Sequence, residues 1–237
     1  MELHDRLSQI MAQLAEQTAE KLSTAARCRR AIIIAIKQGV LPADARLVEA
    51  DLCDALNVSR TPLREALTAL RADGILSQDG QSLRVRKLAW RDIHELYDMR
   101  ALLEGAAAQY AARHAGPAEK QVITALVKTE AQLIAAKVSP DILAAHNVQF
   151  HDAIMQAARN PFLKEAIERL SHLFILIGDT AYSLSERVRV IAQQHAEIND
   201  AIQSGDEAGA EAAMRVHLQD ALAARLRLLS DGQGASW

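Results

Sequence analysis

The chain has 237 residues, half of them apolar, with 27 Lys/Arg against 30 Asp/Glu. That is enough for two modest domains with a sizeable core, and two cysteines exclude a disulfide framework. Aromatics are scarce while Ala and Leu abound, so a mainly α fold is expected, and the longest apolar runs, such as 31–36 and 173–177, are too short to span a bilayer.

Residues 1–22 read as an amphipathic helical extension, with Leu3, Leu7, Ile10 and Leu14 on one stripe. Two readings stand for it: an arm that strengthens a dimer or touches DNA, or a loosely docked extension. A helix over 24–38 follows, stopped by Gly39, then a short helix over 48–56 ended by Asn57, then one over 59–72 ended by Asp73-Gly74. Cys28 and Cys53 fall in the first two and are expected as buried, reduced thiols. The period then changes. Ile75-Leu76, a turn at Asp79-Gly80 and the run Leu83 to Arg86 predict a small β-hairpin. From residue 91 onward the pattern is helical, with spans 91–114, 117–137, 140–158, 161–180, 184–204 and 206–230. The expected domains are thus the extension 1–22, a winged helix-turn-helix over 23–89, an all-helical domain over 90–230, and a loose tail over 231–237. The fold class is mainly α: a winged helix with a β-hairpin wing, then a six-helix antiparallel bundle.

The net charge of −3 hides an asymmetry. Residues 23–91 carry 12 Lys/Arg and 7 Asp/Glu, whereas 92–237 carry 13 and 19. A basic segment joined to an acidic one predicts that only the first meets a polyanion.

On the helix over 59–72, Leu63, Ala66, Leu67 and Leu70 make an inward face. Arg60, Arg64, Thr68 and Arg71 fall on an outward stripe, Ser59 or Thr61 can cap the start, and Pro62 fits the first turn. A helix N-terminus favours phosphate, and an arginine fork matches guanine O6 and N7. Thr61 can donate to phosphate, and Arg84 and Arg86 share one face of the wing, within reach of the DNA backbone. Three stretches, Arg46 to Leu52, Val58 to Leu67 and Leu70 to Leu76, resemble the DNA-binding domain of the GntR family, over about residues 24–88. The resemblance implies that Arg60 and Arg64 contact bases or phosphates.

In the helical part, Asn147 and His151 stand at i and i+4, with His195 and His217 on two later helices. Three imidazoles from three helices can converge in a bundle core on a divalent metal. The run Leu96 to Glu104, the segment Asn147-Val148-Gln149-Phe150-His151, and the segments around His195 and His217 resemble the FCD domain of one GntR branch. That resemblance implies a metal held by Asn147, the first position of the second of these, and by the three histidines His151, His195 and His217, zinc first with nickel or manganese as alternatives. It further implies an organic acid held by the metal and Arg100, with Glu104 orienting Arg100 or the ligand. Asn147 departs from the aspartate usual there. An amide brings no charge, so weaker metal retention and a stronger pull on an anionic effector are expected. The other loading is metal-free, with protonated histidines and Arg100 taking the acid directly. His146 is expected outside the cluster, about 100° away on the helix.

These readings predict a cytoplasmic homodimeric transcription regulator, a repressor rather than an enzyme, that binds operator DNA under control of a small organic acid. Two other classes compete: a metal-dependent hydrolase with an accessory helical domain, and a helical scaffold with incidental histidines.

Overall fold

The computed structural model describes residues 3–17, 22–178 and 180–231. The chain forms two compact units. One holds the described residues up to Ala89 together with Ser171–Gly178, and the other holds Trp90–Leu170 and the described residues from Thr180 onward.

In the first unit, α1 (Leu3–Gln17) precedes α2 (Thr24–Lys37), α3 (Glu49–Leu56) and α4 (Arg60–Ala72). Three short strands, β1 (Arg46–Leu47), β2 (Leu76–Asp79) and β3 (Ser82–Val85), form an antiparallel sheet in the order β1-β3-β2. The hairpin is the expected one. Strand β1 was not foreseen, because two residues are too short to leave a period in the sequence. The turn between α3 and α4 is made by Asn57 at φ 50°, a left-handed position that asparagine tolerates. The apolar stripe of α4 is wholly inside: Leu63, Ala66, Leu67 and Leu70 pack with Ile32, Leu52, Leu56, Ile75 and Val85. Burying each such Leu or Ile contributes about 1.5–3 kcal/mol before chain entropy is subtracted.

The amphipathic extension belongs to this core. Leu7, Ile10 and Leu14 are buried with the winged helix, and Ser8 Oγ donates to the Ala55 carbonyl at 2.8 Å. Leu3, expected on the same stripe, is instead 46% exposed. Cys28 is buried and Cys53 half-buried, both as free thiols.

The second unit is built from α5 (Trp90–His114), α6 (Pro117–Ala135), α7 (Pro140–Ala157), α8 (Pro161–Ser171), α9 (Ser185–Ser204) and α10 (Glu207–Asp231). Proline opens α6, α7 and α8, where its missing N–H costs nothing. Helices α5 and α10 pack closely at Gly105, where an added Cβ would stand 3.2 Å from Arg215 Cγ. The core between the helices is Ala107, Ala108, Ala111, Ile123, Phe150, Ile154, Ile198, Ile202 and Met214.

One expected helix is corrected. The span 161–180 does not run through: α8 stops at Ser171, a 3-10 turn covers His172–Leu176, and Gly178 takes φ +85°. The apolar run there carries no helical period. Leu176 is buried in the first unit's core, and Leu173 and Ile175 pack against it. A second 3-10 turn, Ala181–Ser183, is capped by Thr180 Oγ1, which accepts from the Tyr182 N–H at 3.4 Å. The tail expected over 231–237 begins one residue too early, since Asp231 closes α10, and residues 232–237 lie outside the described residues. Among the described residues no helix is long and apolar enough to cross a membrane.

Candidate functional site

Two constellations carry chemistry, one in each unit. The first is the outer face of α4. Arg60, Thr61, Arg64, Thr68 and Arg71 are exposed there, opposite the buried leucines. Ser59 occupies the N-cap position with extended backbone, but its hydroxyl makes no capping hydrogen bond. Arg64 Nε donates to Glu49 Oε2 of α3 at 2.8 Å. Between α4 and the wing lies a concavity of about 460 Å³, lined by Arg46, Arg64, Thr68, Arg71, Gln78 and Gln81 among others. Arg46 was missed in the sequence. Its place follows from β1, which sets it opposite Arg84 on β3.

Arg84 is placed differently from Arg60 and Arg64. Its Nη1 donates to the Asp44 carbonyl at 2.9 Å, and its guanidinium lies 3.5 Å from both the Asp44 and Asp79 carboxylates. The residue therefore braces the wing, with its charge shared between two acids.

The second constellation is in the helical unit. His151 of α7, His195 of α9 and His217 of α10 are all buried, and each offers a ring nitrogen within 4.8 Å of the others. Two of them are anchored at Nδ1 by hydrogen bonds, His195 with Glu130 Oε2 at 2.8 Å and His217 with Gln194 Oε1 at 3.2 Å. His151 Nδ1 lies 2.7 Å from Glu104 Oε2 as an ion pair, without hydrogen-bond geometry. The Nε2 atoms of His151 and His195 are buried without a hydrogen-bond partner. Imidazoles fixed through Nδ1, with buried Nε2 atoms lacking a partner, fit a divalent ion: outer-shell acceptors orient such ligands and raise their basicity.

Asn147 stands one turn before His151, half-buried, and its Oδ1 accepts from the Tyr182 hydroxyl at 3.4 Å. The same hydroxyl donates to Glu130 Oε1 at 2.7 Å. Asn147, Tyr182, Glu130 and His195 thus form one polar chain through the floor of the site. Arg100 Nε donates to Glu104 Oε1 at 2.5 Å, and its guanidinium sits 5.5 Å from the Tyr97 ring centre.

The electrostatics follow from burial and pairing. Burial pushes the Glu104 carboxyl up, but Arg100 and His151 outweigh it and bring it down to about 2. Glu130 is likewise held below its ordinary value, burial being outweighed by His195 and Tyr182. Burial drives His217 well below the ordinary imidazole value, helped by His195, His151, Arg100 and Arg187. His195 is also lowered by burial, with Glu130 opposing. Burial and the Glu130 charge raise the Tyr182 phenol, which stays a donor. Burial thus disfavours the charged forms of His195 and His217, in the direction that metal ligation requires.

Sequence reading missed Glu130, Tyr182, Gln194 and Arg187. Glu130 had a signal: it interrupts the apolar stripe Ile123, Val127, Ile134 at helical spacing. Gln194 and Arg187 share the stripe of Ile191 and Ile198 on α9. Tyr182 sits in an irregular turn and had none. His146 is outside the triad, yet it is buried with both ring nitrogens unpartnered, close enough to Glu130 and His195 to act on them electrostatically.

Two family models match the chain, one over each part. Residues 24–85 match the family model described as bacterial regulatory proteins, gntR family, and residues 95–220 match the FCD domain. The chain is 31% identical to a Paenarthrobacter nicotinovorans protein described as "Probable D-xylose utilization operon transcriptional repressor", covering 84% of this chain and 87% of that protein. It is 31% identical to the Glc operon transcriptional activator of Escherichia coli K12, covering 72% and 76%, and 29% identical to LutR of Bacillus subtilis, covering 77% and 92%. Among solved structures, E. coli McbR/YncC shares the fold with a TM-score of 0.67 at 24% identity, covering 88% of this chain and 99% of that one. Lar, which controls expression of the Listeria monocytogenes agr system, does so with a TM-score of 0.63 at 16% identity, covering 88% and 99%. The families and relatives are transcription regulators rather than enzymes, which removes the hydrolase reading, and the chain belongs to the GntR family, in its FCD branch.

Proposed function

We propose that the chain is a homodimeric repressor whose hold on operator DNA is governed by a small organic acid bound at the histidine triad. The observation that carries this reading is the buried triad with its anchored Nδ1 atoms, in a chain whose α4 bears an exposed arginine stripe. Arg60 and Arg64 read base edges, Ser59 and Thr61 contact the phosphates at the start of α4, Thr68 meets the DNA further along the same face, and Arg84 steadies the wing against the backbone. Two copies are needed because one helix reads one half-site, and binding both half-sites at once multiplies affinity. Repression is favoured by the Paenarthrobacter relative, which is described as a probable repressor.

His151, His195, His217 and Asn147 would hold the divalent ion, zinc by the preference of imidazole, with nickel or manganese as substitutes. When bound it supplies a positive centre for a carboxylate. Arg100, oriented by Glu104, supplies a guanidinium to the same acid. The metal-free loading is less favoured, because burial keeps His195 and His217 neutral and so removes the charge it needs. Effector binding shifts the population of dimers able to meet both half-sites, by no more than its differential affinity for the two states.

The test is fluorescence anisotropy of the chain's own upstream DNA with zinc-loaded and chelator-treated protein, titrated with an organic-acid panel. Release of DNA by an acid, dependent on metal, is the expected result. DNA affinity indifferent to every acid and to metal would defeat the reading.

A further inference from the structure

The geometry points to an effector that carries a second anionic group, held by the side-on fork of Arg187. This deepens the effector reading above and rests on it. Arg187 opens α9, two turns before His195, on the same stripe as Ile191 and Gln194. Its Nη1 lies 3.4 Å from Asp220 Oδ2. Asp220 Oδ2 also accepts from Gln194 Nε2 at 2.8 Å, and Gln194 Oε1 holds His217 Nδ1 at 3.2 Å. Arg187 is thereby tied through two residues to a triad histidine.

The remaining donors of Arg187 are unusual. Its Nε and Nη2 are buried and have no hydrogen-bond partner. Those two atoms form the flat edge of a guanidinium that matches two oxygens of one carboxylate or phosphate. A buried cationic donor without an acceptor is costly. An anion presented to that edge removes the cost, whereas an aliphatic group there preserves it. Arg100 differs, since its Nε is already used by Glu104. Arg100 is joined to His151 through Glu104, and Arg187 to His217 through Asp220 and Gln194, so each guanidinium is linked to a triad histidine. An acid with one anionic end meets the metal and Arg100. A second anionic end meets Arg187.

The experiment uses the full-length, zinc-loaded protein and calorimetric titration with matched pairs. Succinate is set against butyrate and malate against 2-hydroxybutyrate, each pair differing only in a terminal carboxylate. Dicarboxylates from three to six carbons are set against monocarboxylates of equal length. A third arm, 3-phosphoglycerate against glycerate, asks whether the second group is a phosphate. In at least one pair the dianion binds about tenfold to hundredfold tighter, the range for a hydrogen bond to a charged group. Arg187→Gln erases that gap, read as the dianion-to-monoanion affinity ratio within the one variant, and Arg187→Lys keeps part of it. Circular dichroism confirms that both variants fold. Parity within every pair, or a gap that survives Arg187→Gln, overturns the proposal. If no acid in either column binds, the effector reading itself falls. Monoanions that bind without a dianion advantage sink only the role of Arg187.

Discussion

Arg64 and Glu49 are joined side chain to side chain, Nε to Oε2, at 2.8 Å across the turn from α3 to α4. Both are substantially exposed, at 62% and 41%, so the pair contributes only about 0–1 kcal/mol to stability. Its effect is orientation. With Nε engaged, the terminal amino groups of Arg64 are left as the donors for a base edge. Glu49→Gln is therefore expected to leave the melting temperature nearly unchanged and to weaken specific DNA binding several-fold.

Arg60→Ala and Arg64→Ala act on the contact itself. Each is expected to cost about 1–3 kcal/mol of specific affinity if it reads a base, or to lower the salt slope by about one if it meets phosphate. Anisotropy at several salt concentrations separates the two. Undiminished affinity in the double variant would remove α4 from the interface.

Glu104 stands between Arg100 and His151, almost wholly buried. Deleting one partner of a buried ion pair leaves the other uncompensated, at about 3–5 kcal/mol. Glu104→Ala should thus melt far below wild type, and Arg100→Ala should also lose the response to acids. A denaturation cycle over the single and double variants measures their coupling. Additive losses would contradict a shared pair.

The winged helix was legible nearly residue by residue, because an inward leucine stripe, αL-tolerant turn residues and a change of period all fall in contiguous sequence. The triad was legible only as three histidines on separate helices, joined by a family resemblance. What could not be read was the outer shell. Glu130 and Gln194 reach His195 and His217 through tertiary packing, across 65 and 23 positions, and Tyr182 reaches Asn147 across 35. Their absence also misled the charge argument. Counting ligands alone, Asn147 leaves a dication uncompensated, but Glu104 and Glu130 place two carboxylates one hydrogen-bond length behind the histidines.

That shell has a measurable consequence. Glu130→Gln keeps the shape and removes the charge, and losing an outer-shell partner of this kind weakens metal binding about 10- to 100-fold. Competition of the purified protein with a zinc-chelating dye reads the change. His195→Ala and His217→Ala should retain no stoichiometric zinc by elemental analysis. Full occupancy in either would move the metal elsewhere.

Acid should destabilise the metal-free protein before its carboxylates titrate. His195 and His217 are lowered in the fold from an ordinary value of 6.5. Below that pH the unfolded chain binds protons that the folded chain refuses, so stability falls as pH drops from about 6.5. Above it the contribution is fully present. Glu104 adds a second loss between 4.5 and about 2. Urea denaturation between pH 8 and 5 should show this slope, and His217→Gln should flatten it. An unchanged slope in that variant would mean that His217 is charged in the fold.

The extension α1 separates two expectations of the sequence, a loose appendage or an integral part. Leu7, Ile10 and Leu14 are buried with α2 and α3, while Leu3 at the same face is half exposed. Large-to-small changes in a packed core cost about 2–5 kcal/mol, and exposed changes stay within about 0.5 kcal/mol. Leu7→Ala and Ile10→Ala should accordingly lower the denaturation midpoint well beyond Leu3→Ala. DNA binding by these variants, measured where they remain folded, should match wild type, since their side chains face the core and not the arginine stripe of α4. If instead the core variants were stable and DNA affinity fell, α1 would be a contact arm, and its burial incidental.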